Sequence, residues 1–166
     1  MEKQNFVIAV YVDNKAGVLT RVTAMFTRRG FNIDALTVGE TEHSEYSRIT
    51  IAMQGDEYVK AQLINQLKKL LVVKKVEVLD EEPIKHELML IKVQNESKNR
   101  SDIMTAVDVF RASVIDYSPD GMCIEVTGSP SKIDAFVKLM EPFGILEMCR
   151  TGIVALDRGN KTLFTE

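Results

Sequence analysis

The sequence predicts an α+β fold of two tandem ferredoxin-like units, each with the element order βαββαβ. Two observations lead to this prediction. Apolar residues recur at strand spacing and at helix spacing in the same order twice along the 166 residues. Between the two runs, a polar stretch ending in Pro83 is typical of a linker. We therefore expect one domain over residues 1–79 and a second over residues 84–166.

The first unit opens with a strand, Phe6 to Val12, that is apolar at every position. Such a strand is expected to be buried on both faces. A helix over residues 18–29 follows, because apolar residues recur there at helical spacing and Gly30 suits its end. The remaining predicted elements are a strand from about Asn32 to Gly39, a strand over Ser47–Met53, a helix after Gly55-Asp56-Glu57 and a strand from Val72 to Leu79.

The second unit repeats this order with less sharply bounded ends. Ser129 followed by Pro130 is typical of a helix start, with the serine as N-cap and the proline at the first helical position. A polar tail ends the chain. The predicted elements are a strand over His86–Val93, a helix from Ser101-Asp102, strands over Val114–Tyr117 and Met122–Val126, the helix after Ser129, and a last strand from Ile145 to Val154.

Composition excludes several classes of partner. The net charge is −3 and no block of Lys and Arg is present, which argues against nucleic acid and against a membrane surface. Cys123 and Cys149 stand far apart and outside any CxxC arrangement, so we expect free thiols in a reducing compartment. The N-terminus lacks the apolar region of a signal peptide and no apolar run is long enough to span a bilayer. The sequence therefore predicts a cytoplasmic protein.

The common signatures of catalysis are missing. The sequence contains no GxGxxG, no GxxxxGK[ST] and no HExxH motif. The two histidines, His43 in a charged loop and His86 near the linker, have no identifiable partner for nucleophilic or acid–base chemistry. We therefore expect no catalytic residue, no metal site and no cofactor in this chain, and we interpret it as a binding protein.

The connection between the first strand and the first helix is the candidate binding loop. A tight turn leaves the first N–H groups of a helix free, and these favour a carboxylate. Gly17 permits close approach of a ligand, and Asn14 can bond an ammonium or a carboxylate group. In the alternative interpretation, Asp13 and Asn14 form an ordinary turn and Gly17 relieves crowding, and spacing alone favours that alternative.

The second strand predicts how the chain assembles. In a ferredoxin-like sheet the second and fourth strands lie at the edges, and residues 32–38 contain one charge and no proline that would block pairing. Pairing with the same strand of another copy would cover this edge and give a two-fold symmetric homodimer. Asn32 would then lie near the junction.

Two runs of sequence point to a family. DNKAGVLTRV (13–22) followed by FTRRGFNIDALTV (26–38) resembles the ACT domain of the acetolactate (acetohydroxyacid) synthase small regulatory subunits. The resemblance extends over nearly the whole chain. Further matching stretches are SRITI (47–51), QLKKL (66–70), ELMLIKV (87–93), FRA (110–112), VID (114–116), VTG (126–128), KIDAF (132–136) and RTG (150–152).

The resemblance implies a regulatory subunit that activates a large catalytic subunit and makes it subject to feedback inhibition by a branched-chain amino acid such as valine. In that family the large subunit carries thiamine diphosphate, magnesium and FAD. The effector sits between two ACT domains. The resemblance implies that the binding residues here are Asn14, Ala16, Gly17, Val18 and Leu19 of one chain with Asn32 and Ile33 of the other.

Two alternatives stay open at this stage. The same site would serve a free-standing amino-acid sensor for another biosynthetic enzyme, although the matches in the second half favour the small subunit. A small ferredoxin-like hydrolase would need an arginine in its first loop, whereas this loop contains Lys15 and the first arginine is Arg21.

Overall fold

The computed structural model describes residues 4–164, which form two compact units. The first unit contains the chain up to Ile84 together with the C-terminal segment, residues 153–164. The second unit is Lys85–Gly152. The predicted fold class is confirmed, because each unit is an antiparallel sheet with two helices.

The first unit has the predicted βαββαβ order, with strand order β2-β3-β1-β4 in its sheet. The two edge strands are therefore β2 and β4, as predicted. Strand β2 begins at Ala35, three residues later than predicted, so Asn32 and Ile33 lie in the connection before it. The elements are β1 (Gln4–Asp13), α1 (Val18–Arg29), β2 (Ala35–Glu40), β3 (Tyr46–Gly55), α2 (Glu57–Leu67) and β4 (Val73–Val78).

Strand β1 is buried on both faces, which explains its continuous apolar sequence. Its even-numbered residues from Phe6 to Val12 join the core beneath the two helices, where Phe26, Leu63 and Leu67 are fully buried. Its odd-numbered residues form a second cluster on the opposite face of the sheet. That cluster contains Val7, Ala9, Tyr11, Leu79, Ile153, Ala155 and Leu163.

The C-terminal segment corrects the predicted domain boundary. The second domain was expected to extend over 84–166, but the chain from Ile153 packs on the first unit. The expected strand from Ile145 to Val154 is divided, because Gly152 adopts a positive φ of 80° that a strand does not accommodate. The polar tail also contributes apolar contacts to this unit, since Leu163 is buried.

Helix ends follow the local sequence. The Asp56 side chain accepts a hydrogen bond from the Val59 N–H at the start of α2. Ser129 accepts one from the Lys132 N–H at the start of the fourth helix, as its N-cap position predicted. At the end of α1, Gly30 donates its N–H to the Thr27 carbonyl.

The second unit has the strand order β6-β7-β5-β8, and its helices cover one face of the sheet. None of the helices within residues 4–164 is long and apolar enough to cross a membrane. The elements are β5 (Ile84–Gln94), α3 (Arg100–Val109), β6 (Ser113–Tyr117), β7 (Gly121–Gly128), α4 (Pro130–Met140) and β8 (Ile145–Arg150), while β9 (Val154–Leu156) lies in the C-terminal segment.

Candidate functional site

The loop between β1 and α1 is exposed and ends in a helix start without a side-chain cap. Gly17 is the N-cap residue and has a φ of 80°, the left-handed conformation that favours glycine. Val18 donates its N–H to the Lys15 carbonyl, at 3.3 Å. Within residues 4–164, no partner is found for the N–H groups of Leu19 and Thr20. These two donors and the helix dipole favour a small anion.

Asn14 is held by the hairpin between β2 and β3. Its Nδ2 donates to the Glu40 carboxylate at 3.0 Å and to the Ser44 carbonyl at 2.9 Å, and its backbone N–H donates to the Glu45 carbonyl at 2.8 Å. Both amide hydrogens of the side chain are therefore used inside the chain. The side-chain oxygen remains as a hydrogen-bond acceptor. The structure thus narrows the role of Asn14 to accepting a hydrogen bond, as from an ammonium group.

The other predicted residues divide into exposed and packing positions. Ala16 and Leu19 are exposed beside the loop, whereas the Val18 side chain is buried in the core. Ile33 is half-buried against the same core. Asn32 is exposed and donates to Asp34 at 3.3 Å. Because the Val18 side chain is buried, Val18 can offer a ligand only its backbone.

A single chain does not bring these residues together. Strand register places Glu40 and Val12 beside Ser47, so the end of β2 lies at the end of the sheet where Asn14 and α1 begin. Asn32 lies eight residues before Glu40, beyond the opposite end of β2. At roughly 3.3 Å per residue, the strand from Ala35 to Glu40 spans about 17 Å, and Asn32 lies beyond its start.

Several features near the site were not visible in the sequence. The hydrogen bond between Asn14 and Glu40 joins positions 26 residues apart, so no local sequence pattern could predict it. The same hairpin borders a cleft of about 490 Å³, which is covered by the C-terminal segment and has Arg48 in its wall. Only the alternation of β3, which places Arg48 opposite the helix-facing Ile49, could have pointed to that face of the sheet.

The second unit contains a partly buried ion-pair network. In the second unit, Glu87 is buried and makes two hydrogen bonds with Arg150, at 2.6 and 2.9 Å, and Arg150 also bonds Asp134 at 2.7 Å. Hydrogen bonding of the Arg150 guanidinium to the accepting Glu87 carboxylate is the largest cause of the raised pKa of Arg150. His43 and His86 are exposed. Within residues 4–164, no three His, Cys, Asp or Glu side chains are grouped so that they could hold a metal ion.

Comparisons with known proteins cover both units. A family model described as the AHAS small subunit-like ACT domain matches residues 8–75, and one described as the small subunit of acetolactate synthase matches residues 86–159. The chain is 49% identical over 154 residues to a probable acetolactate synthase small subunit of Archaeoglobus fulgidus, covering 93% of this chain and 97% of that protein. It is 44% identical over 166 residues to the acetolactate synthase small subunit of Mycobacterium bovis, covering 99% of each.

A solved structure agrees. The crystal structure of the acetolactate synthase small subunit from Thermotoga maritima matches with a TM-score of 0.90 and 39% identity, covering 95% of this chain and 99% of that chain. Sequence and fold thus lead to the same family over both units. The chain belongs to the acetolactate synthase small subunits, the regulatory subunits of that enzyme.

Proposed function

We propose that this chain binds the large catalytic subunit of acetolactate synthase in the cytoplasm, raises its activity, and transmits feedback inhibition by a branched-chain amino acid, with valine as the expected effector. The large subunit would carry thiamine diphosphate, magnesium and FAD and condense pyruvate into acetolactate. The first unit would sense the amino acid and dimerise.

One observation carries this proposal: the predicted effector residues lie at the two opposite ends of β2, which are about 17 Å apart at roughly 3.3 Å per residue. If two copies of β2 pair antiparallel across a two-fold axis, the start of one strand lies beside the end of the other. Asn32 of one chain then approaches the partner's loop at Asn14, which is already bonded to Glu40 at the end of β2. Dimerisation would thus assemble two equivalent pockets from residues that no single chain brings together.

The free edge of β2 suits such pairing. The strand has β3 on one side and, within residues 4–164, no strand on the other. Val38 is 42% exposed there, and Glu40 at the end is the strand's one charged residue. An open edge of this kind is a template for another strand unless something covers it. A second copy covers it with the hydrogen bonds of a continuous eight-stranded sheet, counting the four strands of each first unit.

The chemistry of the loop fits an α-amino acid. The N–H groups of Leu19 and Thr20, which have no partner within residues 4–164, would donate hydrogen bonds to the carboxylate at the positive end of the α1 dipole. The side-chain oxygen of Asn14 would accept from the ammonium group. Leu19, which is exposed, would contact the aliphatic side chain. Asn32 and Ile33 of the other chain would close the pocket.

Inhibition requires that the effector bind more tightly to the dimer state that activates the large subunit less well. Coupling between two sites amounts to roughly 1–3 kcal/mol, or about 5- to 150-fold in affinity. The β2–β3 hairpin is the part of the first unit through which occupancy would be transmitted, because Asn14 is bonded to it at Glu40, Ser44 and Glu45.

The test compares calorimetric titration of the purified chain with inhibition of the reconstituted holoenzyme. Valine, leucine and isoleucine are titrated into the parent protein, Asn14→Ala and Asn65→Ala. Asn65 is a matched control because it is exposed on α2, away from the loop. We expect Asn14→Ala to weaken binding and inhibition at least tenfold while activation of the large subunit persists. Equal inhibition of Asn14→Ala and parent holoenzymes would refute the assignment.

A further inference from the structure

The cleft of about 490 Å³ described above lies on the face of the first sheet opposite its helices. Tyr11 and Arg48 form its floor, the C-terminal segment forms its roof, and the β2–β3 hairpin at Glu40–Glu42 forms its rim. This volume lies within the range of about 300–1,000 Å³ that is typical of small-molecule pockets.

Two of the charged groups at the cleft are occupied in holding the C-terminal segment. Asp157 accepts a hydrogen bond from the Asp80 N–H at 2.8 Å and lies 3.4 Å from the Lys161 ammonium. Lys161 is also bonded to the Asp80 carboxylate. Arg158 donates to the Glu82 carbonyl at 3.0 Å. These contacts fix the roof and leave Asp157 and Lys161 little capacity for a ligand.

Arg48 and Glu42 are two charged groups of the cleft that can still bond a ligand. Arg48 donates one N–H to the Ala155 carbonyl at 2.8 Å, and its other donors have no partner within residues 4–164. Burial lowers the pKa of Arg48, while the nearby carboxylates of Asp157 and Glu42 act in the opposite direction. A half-buried guanidinium of this kind binds a carboxylate more strongly than an exposed one does. The Glu42 carboxylate is exposed and interacts electrostatically with Arg48.

Part of the remaining wall is apolar. Leu156 and Phe164 border the cleft although both are exposed, at 60% and 55%. The Phe164 ring meets the Tyr11 ring edge-on, with centroids 4.9 Å apart. Large apolar side chains at a concave surface gain free energy when a ligand removes them from water.

We infer that this cleft is a second ligand site, which binds an α-amino acid with an apolar side chain. Arg48 receives the carboxylate, Glu42 receives the ammonium group, and Leu156 and Phe164 contact the side chain. The remaining donors of the Arg48 guanidinium, the exposed Glu42 carboxylate and the two apolar side chains match the three parts of such a zwitterion. The site lies within one chain, and none of its ligand groups belongs to the β1–α1 loop.

The site is also connected to that loop. Glu40, on the rim of the cleft, accepts the hydrogen bond from Asn14 described above. Occupancy of the cleft would therefore act on the same hairpin that holds the effector loop, and the two sites would be coupled reciprocally.

The experiment is calorimetric titration of the full-length dimer with leucine, valine and phenylalanine, and with 4-methyl-2-oxopentanoate, which keeps the carboxylate and side chain of leucine but lacks the ammonium group. The variants are Arg48→Met, Glu42→Gln, Asn14→Ala, and Lys138→Met as a control on α4 of the second unit. Glu42 is exposed, so its variant keeps the fold even if Arg48→Met loosens the roof.

We expect a second binding event per chain that persists in Asn14→Ala and Lys138→Met. Arg48→Met should weaken the binding of every probe at least tenfold. Glu42→Gln should weaken the binding of the amino acids severalfold and leave the binding of the 2-oxo acid unchanged. A single event per chain that Asn14→Ala abolishes would overturn the cleft site while supporting the effector site. Binding that persists unchanged in both Arg48→Met and Glu42→Gln would overturn it as well.

Discussion

Replacing Leu163 by alanine tests whether the C-terminal segment is part of the first unit. Leu163 is 6% exposed and packs in the cluster with Val7, Ala9 and Tyr11 of β1. Truncation of a buried leucine costs about 2–5 kcal/mol, and the lower part of that range applies because the segment can settle partly into the space. We therefore expect a loss of about 2–3 kcal/mol in the free energy of unfolding of the first unit. Since each kcal/mol lowers the Tm of a chain of this size by about 2–4 °C, the Tm should fall by about 5–10 °C.

A matched control is available in the same segment. Leu156 is 60% exposed, so Leu156→Ala should change stability by no more than about 0.5 kcal/mol. Scanning calorimetry measures the Tm, and hydrogen exchange identifies the affected unit. Amides of β1 should exchange about 30- to 150-fold faster in Leu163→Ala if they exchange through unfolding of the first unit, while amides of β7 keep their protection. Equal effects of the two variants, or unchanged protection in β1, would refute the packing of the segment on the sheet.

Three further changes test other features. Val38→Lys places a charge on the exposed edge of β2 and should raise the dissociation constant of the proposed dimer at least tenfold, measured by sedimentation. An unchanged dissociation constant would contradict pairing through β2. Arg150→Ala leaves the Glu87 side chain, which is 4% exposed, without its partner. It should destabilise the second unit by about 2 kcal/mol, measured by denaturant unfolding. This is less than the cost for a fully buried pair, because Arg150 is partly exposed. In Gly17→Ala the new Cβ meets no steric obstacle, but alanine must adopt a φ of 80°. The variant should therefore lose about 1–2 kcal/mol in the free energy of unfolding and bind the effector more weakly. Retention of full stability and affinity would show that the loop does not require this conformation.

Most of the secondary structure could be predicted because it follows from local sequence patterns such as apolar spacing and helix-ending residues. The helix over 18–29 was predicted at both ends, since an apolar stripe and Gly30 define it within twelve residues. The edge positions of β2 and β4 follow from element order alone. The predicted start of β2 was wrong by three residues, because Asn32 and Ile33 have the composition of a strand although pairing with β3 begins only at Ala35.

Long-range contacts account for what the sequence did not reveal. The apolar sequence of β1 predicted burial on both faces, but nothing local indicated that the second cover comes from the C-terminal segment. The Asn14–Glu40 contact and the Arg48–Ala155 contact join distant positions in the same way. The pairing of Asn14 with Asn32 stays a prediction, because strand geometry separates them in one chain and only a second copy would join them.

Strand β1 is covered by the helices on one face and by the C-terminal segment on the other, and this arrangement sets the order in which the chain can finish folding. Leu163 follows Val78, the last residue of β4, by 85 positions. At about 5–20 residues per second, the ribosome needs roughly 4–17 s to add them. During that time one face of the first sheet, with Val7, Ala9 and Tyr11, awaits its final partner. The apolar face of β1 is therefore exposed longer than the rest of the first unit during synthesis, and we expect a chaperone to bind the nascent chain there.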